Sequence, residues 1–357
     1  MATVESAIKL AGLGMSALKS NFSRLQHPYK LNFAITYKCQ SRCETCSIWK
    51  QKPGKELTLD EITAFAKKNN YFKWVGLTGG EPFLRSDLVE IVEAFRSYSK
   101  GLYMVAMPTN SLSNGEMITK KVERMLEMGM PRVIMTLSLD GYRDLHDRIR
   151  GTKGNFDRVM DLARRLHELQ GQYNGLSFLF GYTMSKFNQG ALERTYMAVK
   201  DELDWATYND FHVNLGQVSG IYYGNKGIDM HADSAAMAAE LSAFIAKRKM
   251  RLGPVQMIEN AYLKRLVEYI RTGRSPMKSR SLDASLFLSS GGEVYPSIMW
   301  ERELGNVRDT GYDLEPIWLS KGAEEVRSMI KEGKEPACWT SCEAYQSIAG
   351  NIPSLLF

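Results

Sequence analysis

Apolar residues recur at heptad-like spacing over the first 25 positions: Ile8, Ala11, Met15, Leu18, Phe22 and Leu25. That spacing gathers them on one face of a helix, with Lys9, Lys19 and Arg24 elsewhere. It predicts an amphipathic helix that packs on the domain body, lies on an anionic lipid surface or binds a partner. From residue 31 short apolar runs alternate with helical periodicity. Strands are expected at Leu31–Tyr37, Trp74–Leu77, Leu102–Met107, Arg132–Leu139, Leu176–Met184 and Phe211–Val218. Helices are expected at Leu59–Lys68, from a cap at Ser86 to Ser99, and at Met117–Met128, Phe156–Leu169 and Gly190–Leu203. Thr58 and Glu61 form a capping box for the first of these. Six βα units in strict alternation predict a parallel sheet with helices outside. Six units suit a partial, TIM-like (βα)6 barrel, with chemistry at the C-terminal ends of its strands.

The pattern changes near residue 230. Two long helices (Ser234–Arg251 and Met257–Arg271), a hairpin about Gly291-Gly292 and a helix at Gly322–Lys331 predict a small α+β extension. The expected divisions are residues 1–28 for the N-terminal helix, 29–230 for the barrel and 231–357 for a C-terminal cap. The chain shows no internal repeat and no low-complexity segment.

Composition narrows the function. Of 357 residues, 44% are hydrophobic and 24% charged, which suits a globular chain. The net charge of +6 is too small to suggest a nucleic-acid partner. No run is long enough to span a membrane, and no secretory signal pattern opens the sequence. A cytoplasmic enzyme is expected.

The cysteines carry the sharpest chemistry. Cys39, Cys43 and Cys46 cluster after the first strand; Cys338 and Cys342 are the only others. An odd number in two tight groups is a poor disulfide framework. Three thiolates in C-x3-C-x2-C spacing can hold three irons of a 4Fe–4S cubane and leave the fourth open. A zinc site would want four Cys or His ligands, and no His lies within ten residues of this loop.

This loop resembles the radical SAM superfamily. Thr78-Gly79-Gly80-Glu81-Pro82 is similar to that family's GGE motif, and Thr109-Asn110 ends the third strand where the family places a polar cofactor contact. Ser138-Leu139-Asp140-Gly141 and the run through Arg150-Gly151 resemble the subgroup with C-terminal SPASM or twitch extensions. The resemblance implies that S-adenosylmethionine chelates the open iron. Reductive cleavage then gives a 5′-deoxyadenosyl radical, which abstracts hydrogen from a substrate. Gly79, Gly80, Glu81, Asn110, Ser138, Asp140 and Arg150 are the implied cofactor contacts, with Arg150 suited to a carboxylate. The family's aromatic residue before the third cysteine is Thr45 here, so Tyr37 or Trp49 is a candidate for the adenine.

The C-terminal pair resembles what remains of an auxiliary Fe–S motif, with Ser281 or Leu282, Ser297 and Glu335 where relatives carry cysteines. Three readings stand. The second cluster is lost, or it persists on Cys338 and Cys342 with Glu335 or Ser297, or one thiol donates a hydrogen atom to the substrate. Only 38 residues precede Cys39. That leaves no room for a cobalamin domain and shows no winged-helix peptide-recognition domain, so a small-molecule substrate is expected: a sugar, nucleoside or lipid precursor, which is oxidised, epimerised or rearranged. Met184, Asn188, Asn214 and Gln217 are candidate substrate contacts, and a flavodoxin or ferredoxin is the expected electron donor. A peptide-modifying maturase and a non-catalytic Fe–S homologue are the alternatives.

Overall fold

The computed structural model describes residues 2–52, 54–230, 232–249 and 253–351. Helix α1 (Ala2–Lys19) leads into β1 (Lys30–Thr36). There follow α2 (Leu59–Lys68), β2 (Trp74–Gly79), α3 (Leu88–Tyr98), β3 (Met104–Thr109), α4 (Gly115–Glu127) and β4 (Arg132–Ser138). Next come α5 (Arg143–Arg150), α6 (Asn155–Gln172), β5 (Leu176–Met184), α7 (Leu192–Glu202) and β6 (Phe211–Leu215). The extension holds α8 (Ser234–Ala246), α9 (Pro254–Thr272), β7 (Ser285–Leu288), β8 (Glu293–Tyr295), β9 (Gly305–Asn306), α10 (Glu315–Trp318), α11 (Lys321–Lys331) and α12 (Ser341–Ala349).

Strands β1 to β6 pair in parallel and in sequence order, as the alternation predicts. The sheet does not stop at β1. β7 pairs with it in parallel, Lys30 opposite Ser285, and β8 and β9 continue antiparallel. The extension therefore grows out of the barrel's own sheet.

Strand alternation sorts side chains into two environments. Leu31, Phe33, Val75, Leu77, Val133, Met135, Phe178, Phe180, Phe211 and Val213 face the helices and form the main core. The other set, including Asn32, Thr78, Thr136, Ser138, Thr183, His212 and Asn214, lines an internal chamber of about 340 Å³.

Local signals account for most boundaries. The Thr58–Glu61 box caps α2, with Glu61 N–H donating to Thr58 Oγ1 at 3.3 Å and Thr58 N–H to Glu61 Oε2 at 2.8 Å. Asn114 caps α4 through the Met117 amide at 3.0 Å, and Gly129 (φ 86°) stands just beyond the helix end in the left-handed region. Other expectations need correction. Ser86 is not the cap of α3; Asp87 occupies that place, its carboxylate held by Arg85 at 2.6 Å. β6 ends at Leu215, short of the expected Val218, with the Gly216 amide still donating to the Met184 carbonyl at 2.7 Å. α8 ends at Ala246, and its expected terminus Arg251 lies outside the described residues.

α1 also differs. It packs against the N-terminal ends of the strands through Leu10, Leu13 and Ala17, which meet Tyr29, Tyr103 and Met104. Only part of the heptad stripe faces the other way: Ile8 is 67% and Met15 54% exposed, as is Phe22 (83%) past the helix end, whereas Leu25 packs against this same cluster. Among the described residues no helix is long and apolar enough to cross a membrane.

Candidate active site

The loop after β1 carries Cys39, Cys43 and Cys46 to the C-terminal end of the sheet, and all three line the chamber. Each sulfur has an N–H aimed at it. Asn110 Nδ2 lies 3.7 Å from Cys39 Sγ, Arg150 Nη1 3.8 Å from Cys43 Sγ and the Ile48 amide 3.5 Å from Cys46 Sγ. Burial pushes the Cys39 thiol up, and pushes Cys46 up to about 12. Protonated thiols must lose protons to bind metal, so donors at each sulfur favour the ligating form. Among the described residues no three Cys, His, Asp or Glu side chains converge as ligands of a single ion must. Three thiols lining one chamber, each with an N–H nearby, are the donor set that three irons of a cubane would need.

Gly79 and Gly80 are required by packing. Gly79 has φ 124°, and a Cβ there would meet the Thr36 carbonyl at 2.0 Å. A Cβ on Gly80 would meet the Lys38 carbonyl at 2.2 Å. The close approach seats the end of β2 on the start of the cysteine loop, with Gly80 N–H donating to Thr36 O at 2.8 Å and Glu81 N–H to Lys38 O at 2.9 Å. Glu81 is buried, and its carboxylate accepts the amides of Asn110 at 2.7 Å and Phe83 at 3.2 Å. Burial pushes its carboxyl up to about 7. Glu81 thus ties the ends of β2 and β3 together beneath the loop.

Asp140 and Arg150 face each other across α5 in a 2.7 Å ion pair, and both line the chamber with Ser138. Asp140 also accepts the Thr183 amide at 2.9 Å, which links the ends of β4 and β5. Of the expected substrate contacts, Asn214 and Gln217 line the chamber. Met184 and Asn188 do not. Met184 is on the helix-facing side of β5, and the Asn188 amide is used by Asp140 O and Thr183 O, both at 2.9 Å. Tyr37 and Trp49 also lie outside it: the Tyr37 hydroxyl donates to Ile221 O at 3.0 Å, and Trp49 stacks under Arg42.

Two elements cover the chamber, neither of them marked in the sequence, although a C-terminal cap was expected. The irregular segment 216–230 crosses the cysteine loop, with Asn225 Nδ2 donating to Thr45 O and Gln51 Nε2 to Tyr222 O. It brings Tyr222 and Tyr223 into the chamber, where the Tyr222 hydroxyl pairs with that of Thr78. No periodicity marks this segment. α12 is the second cover. Lys30 Nζ and Asn32 Nδ2 of β1 and Gln346 Nε2 converge on the Cys342 carbonyl at 2.6, 3.4 and 3.0 Å. They fix the first turn of α12, and Cys342 and Tyr345 line the chamber.

Cys338 and Cys342 part company here. Cys338 opens on a separate space of about 20 Å³ beside Ser297 and Glu335. That space holds about one water. Burial keeps both thiols protonated, Cys338 pushed up to about 12.

A parallel partial barrel thus carries a three-cysteine loop at the mouth of an internal chamber. Residues 33–194 match the family model of the Radical SAM superfamily. A GTP 3′,8-cyclase of Listeria monocytogenes serovar 1/2a is 32% identical over 164 residues, 43% of this chain and 46% of that protein. A PqqA peptide cyclase of Ruegeria pomeroyi is 31% identical over 175 residues, 47% of this chain and 43% of that protein. The chain spans less than half the length of these curated relatives. Native anSMEcpe with bound AdoMet has a similar fold, with TM-score 0.60 at 15% identity over 92% of this chain and 98% of that one. SuiB of Streptococcus suis bound to S-adenosylmethionine gives TM-score 0.58 at 16% identity over 87% and 70%. Over residues 33–194 the chain is thus similar to the radical SAM superfamily, and its fold is that of solved structures with bound S-adenosylmethionine.

Proposed function

We propose that Cys39, Cys43 and Cys46 hold the cluster and that the chamber beneath them takes S-adenosylmethionine and a small-molecule substrate. The observation that carries this reading is the N–H donor directed at each of the three sulfurs. When bound, the cluster supplies the electron that cleaves S-adenosylmethionine, and the resulting radical abstracts hydrogen from the substrate. The chain's own residues position the cofactor and exclude water. Gly79, Gly80, Glu81, Asn110, Ser138, Asp140 and Arg150 gather at one end of the chamber as its contacts.

The covers over the chamber support a small molecule. The segment 216–230 and α12 close on a volume of about 340 Å³, near the lower end for ligand pockets. An extended peptide would need an open groove. We read the substrate as a sugar, nucleoside or lipid precursor, and the C-terminal residues as a SPASM- or twitch-like cap. Exposed Lys38 and Arg42 beside the cysteine loop suit an acidic flavodoxin or ferredoxin as electron donor. Free thiols at all five cysteines suit the reducing cytoplasm. The exposed stripe on α1 supports peripheral contact with a lipid surface.

The test is formation of 5′-deoxyadenosine by the anaerobically reconstituted protein under a strong reductant. Its absence from the parent protein would sink the proposal.

A further inference from the structure

β6 carries a second chemical group into the chamber. His212 is buried, faces inward, and lies in register with Gly181, which in turn pairs with Ser138. Gly181 carries no side chain, so nothing from β5 separates His212 from Ser138 in that layer. His212 Nδ1 stands 2.9 and 3.1 Å from the two carboxylate oxygens of Glu259 on α9. Tyr345 of α12 donates its hydroxyl to the same carboxylate. Burial presses the Glu259 carboxyl upward, but the imidazole and the Arg248 guanidinium outweigh this and hold it below its usual range.

An ionised carboxylate only accepts, so the proton between Glu259 and His212 sits on Nδ1. A ring with its one proton on Nδ1 presents a lone pair at Nε2. Among the described residues Nε2 is buried without a hydrogen-bond partner, and the ring lines the chamber. A purely structural role, stapling β6 to α9 and α12, accounts for Nδ1, Glu259 and Tyr345. It leaves Nε2 unexplained, because a buried polar atom ordinarily has a partner.

We propose that His212 is the acid–base group of the substrate chamber, its Nε2 accepting the proton of a hydroxyl or amine on the substrate. This rests on the reading of the chamber as a substrate site. In the transfer the substrate O–H or N–H bond breaks, its electron pair stays on oxygen or nitrogen, and Nε2–H forms. Glu259 is the positioning residue: it fixes the tautomer and offsets the imidazolium charge, as in other His–carboxylate pairs. The other groups facing the ring do not compete for the proton. Tyr262, stacked at 5.3 Å, and Tyr345 are held neutral by burial, and Cys342 one turn before Tyr345 is a protonated thiol. Arg248 bears on Glu259 and stays charged.

Diethylpyrocarbonate, which acylates an accessible neutral imidazole nitrogen, tests this in the reconstituted full-length protein, with peptide mass spectrometry locating the modified histidine. His212 should react, with a rate that follows titration of its ring. In E259Q the midpoint of that titration should fall by about one pH unit or more. Y345F, which removes the hydroxyl's bond to the carboxylate and its 3.1 Å contact with His212 Nδ1, takes the place of E259Q if the latter loses its iron, and should give a smaller fall. Alcohols or amines that raise 5′-deoxyadenosine formation (hexoses, nucleosides and amino sugars are the panel) should protect His212. A His212 that reacts only after denaturation, or a midpoint unmoved by the Glu259 and Tyr345 changes, overturns the proposal. So does a stimulating compound that leaves labelling unchanged. Labelling does not require turnover. A protein that labels as expected but makes no 5′-deoxyadenosine would contradict the enzymatic reading and leave the site standing.

Discussion

The guanidinium of Arg150 stands 2.7 Å from the carboxylate of Asp140, while another of its nitrogens points at the sulfur of Cys43 at 3.8 Å. One buried cation therefore joins the end of β4 to the cysteine loop. Replacing Arg150 by Met should leave Asp140 buried without its partner, which typically costs about 3–5 kcal/mol. The measurement is thermal unfolding of R150M beside D140L/R150M. The double variant should recover much of the stability, and neither should cleave S-adenosylmethionine at the parental rate. Equal stability of R150M and parent would refute the pairing.

Gly79 and Gly80 make a second prediction. A methyl group at either meets backbone oxygen, and the backbone there cannot yield without lifting the cysteine loop. G79A and G80A should each lose about 2–4 kcal/mol and retain little iron. Gly14, in α1 with nothing within 4 Å of an added Cβ, is the contrast. G14A should gain about 0.5–1 kcal/mol. If G79A bound iron like the parent, the packing argument would fail.

Glu81 gives a pH dependence. Its carboxyl is raised by burial to about 7 in the folded chain, against an ordinary value near 4.3 when unfolded. Between those values the folded state holds a proton that the unfolded state has lost. Stability therefore falls as pH rises through this window, by up to about 3 kcal/mol, and levels off above it. Denaturant unfolding of the apoprotein from pH 4.5 to 8 should show this slope, flattened in E81Q. Matching slopes in the two proteins would contradict the assignment.

The exposed apolar side chains of α1, with Phe22 just beyond its end, give the fourth. I8S/M15S/F22S should change stability by less than about 0.5 kcal/mol, since these side chains face solvent. It should also lower co-sedimentation with vesicles containing anionic lipid. Unchanged sedimentation would remove the lipid reading.

Much of this architecture was legible in the sequence because its signals are local. The Thr58–Glu61 box, the βα alternation and the Gly291-Gly292 hairpin each act within a few residues, and the cysteine spacing pointed to the site. The face of α1 was misread because the long apolar residues follow one stripe, whereas Leu10, Leu13 and the small Ala17 are what fit the shallow patch below the sheet. The segment 216–230 and α12 were missed for a different reason. The first has no periodicity, and the second is a nine-residue helix held by distant partners, Lys30 and Asn32. His212 sat in plain alternation on β6, but its meaning depends on Glu259, 47 residues away.

The central claim is that Cys39, Cys43 and Cys46 hold one cluster that serves S-adenosylmethionine cleavage. Iron and acid-labile sulfide per chain should be measured after anaerobic reconstitution, in the parent and in C39A/C43A/C46A, alongside 5′-deoxyadenosine formation. The account predicts about four irons in the parent and about none in the variant, which should also form no 5′-deoxyadenosine. About four irons surviving in the variant would contradict it and place a cluster elsewhere in the chain.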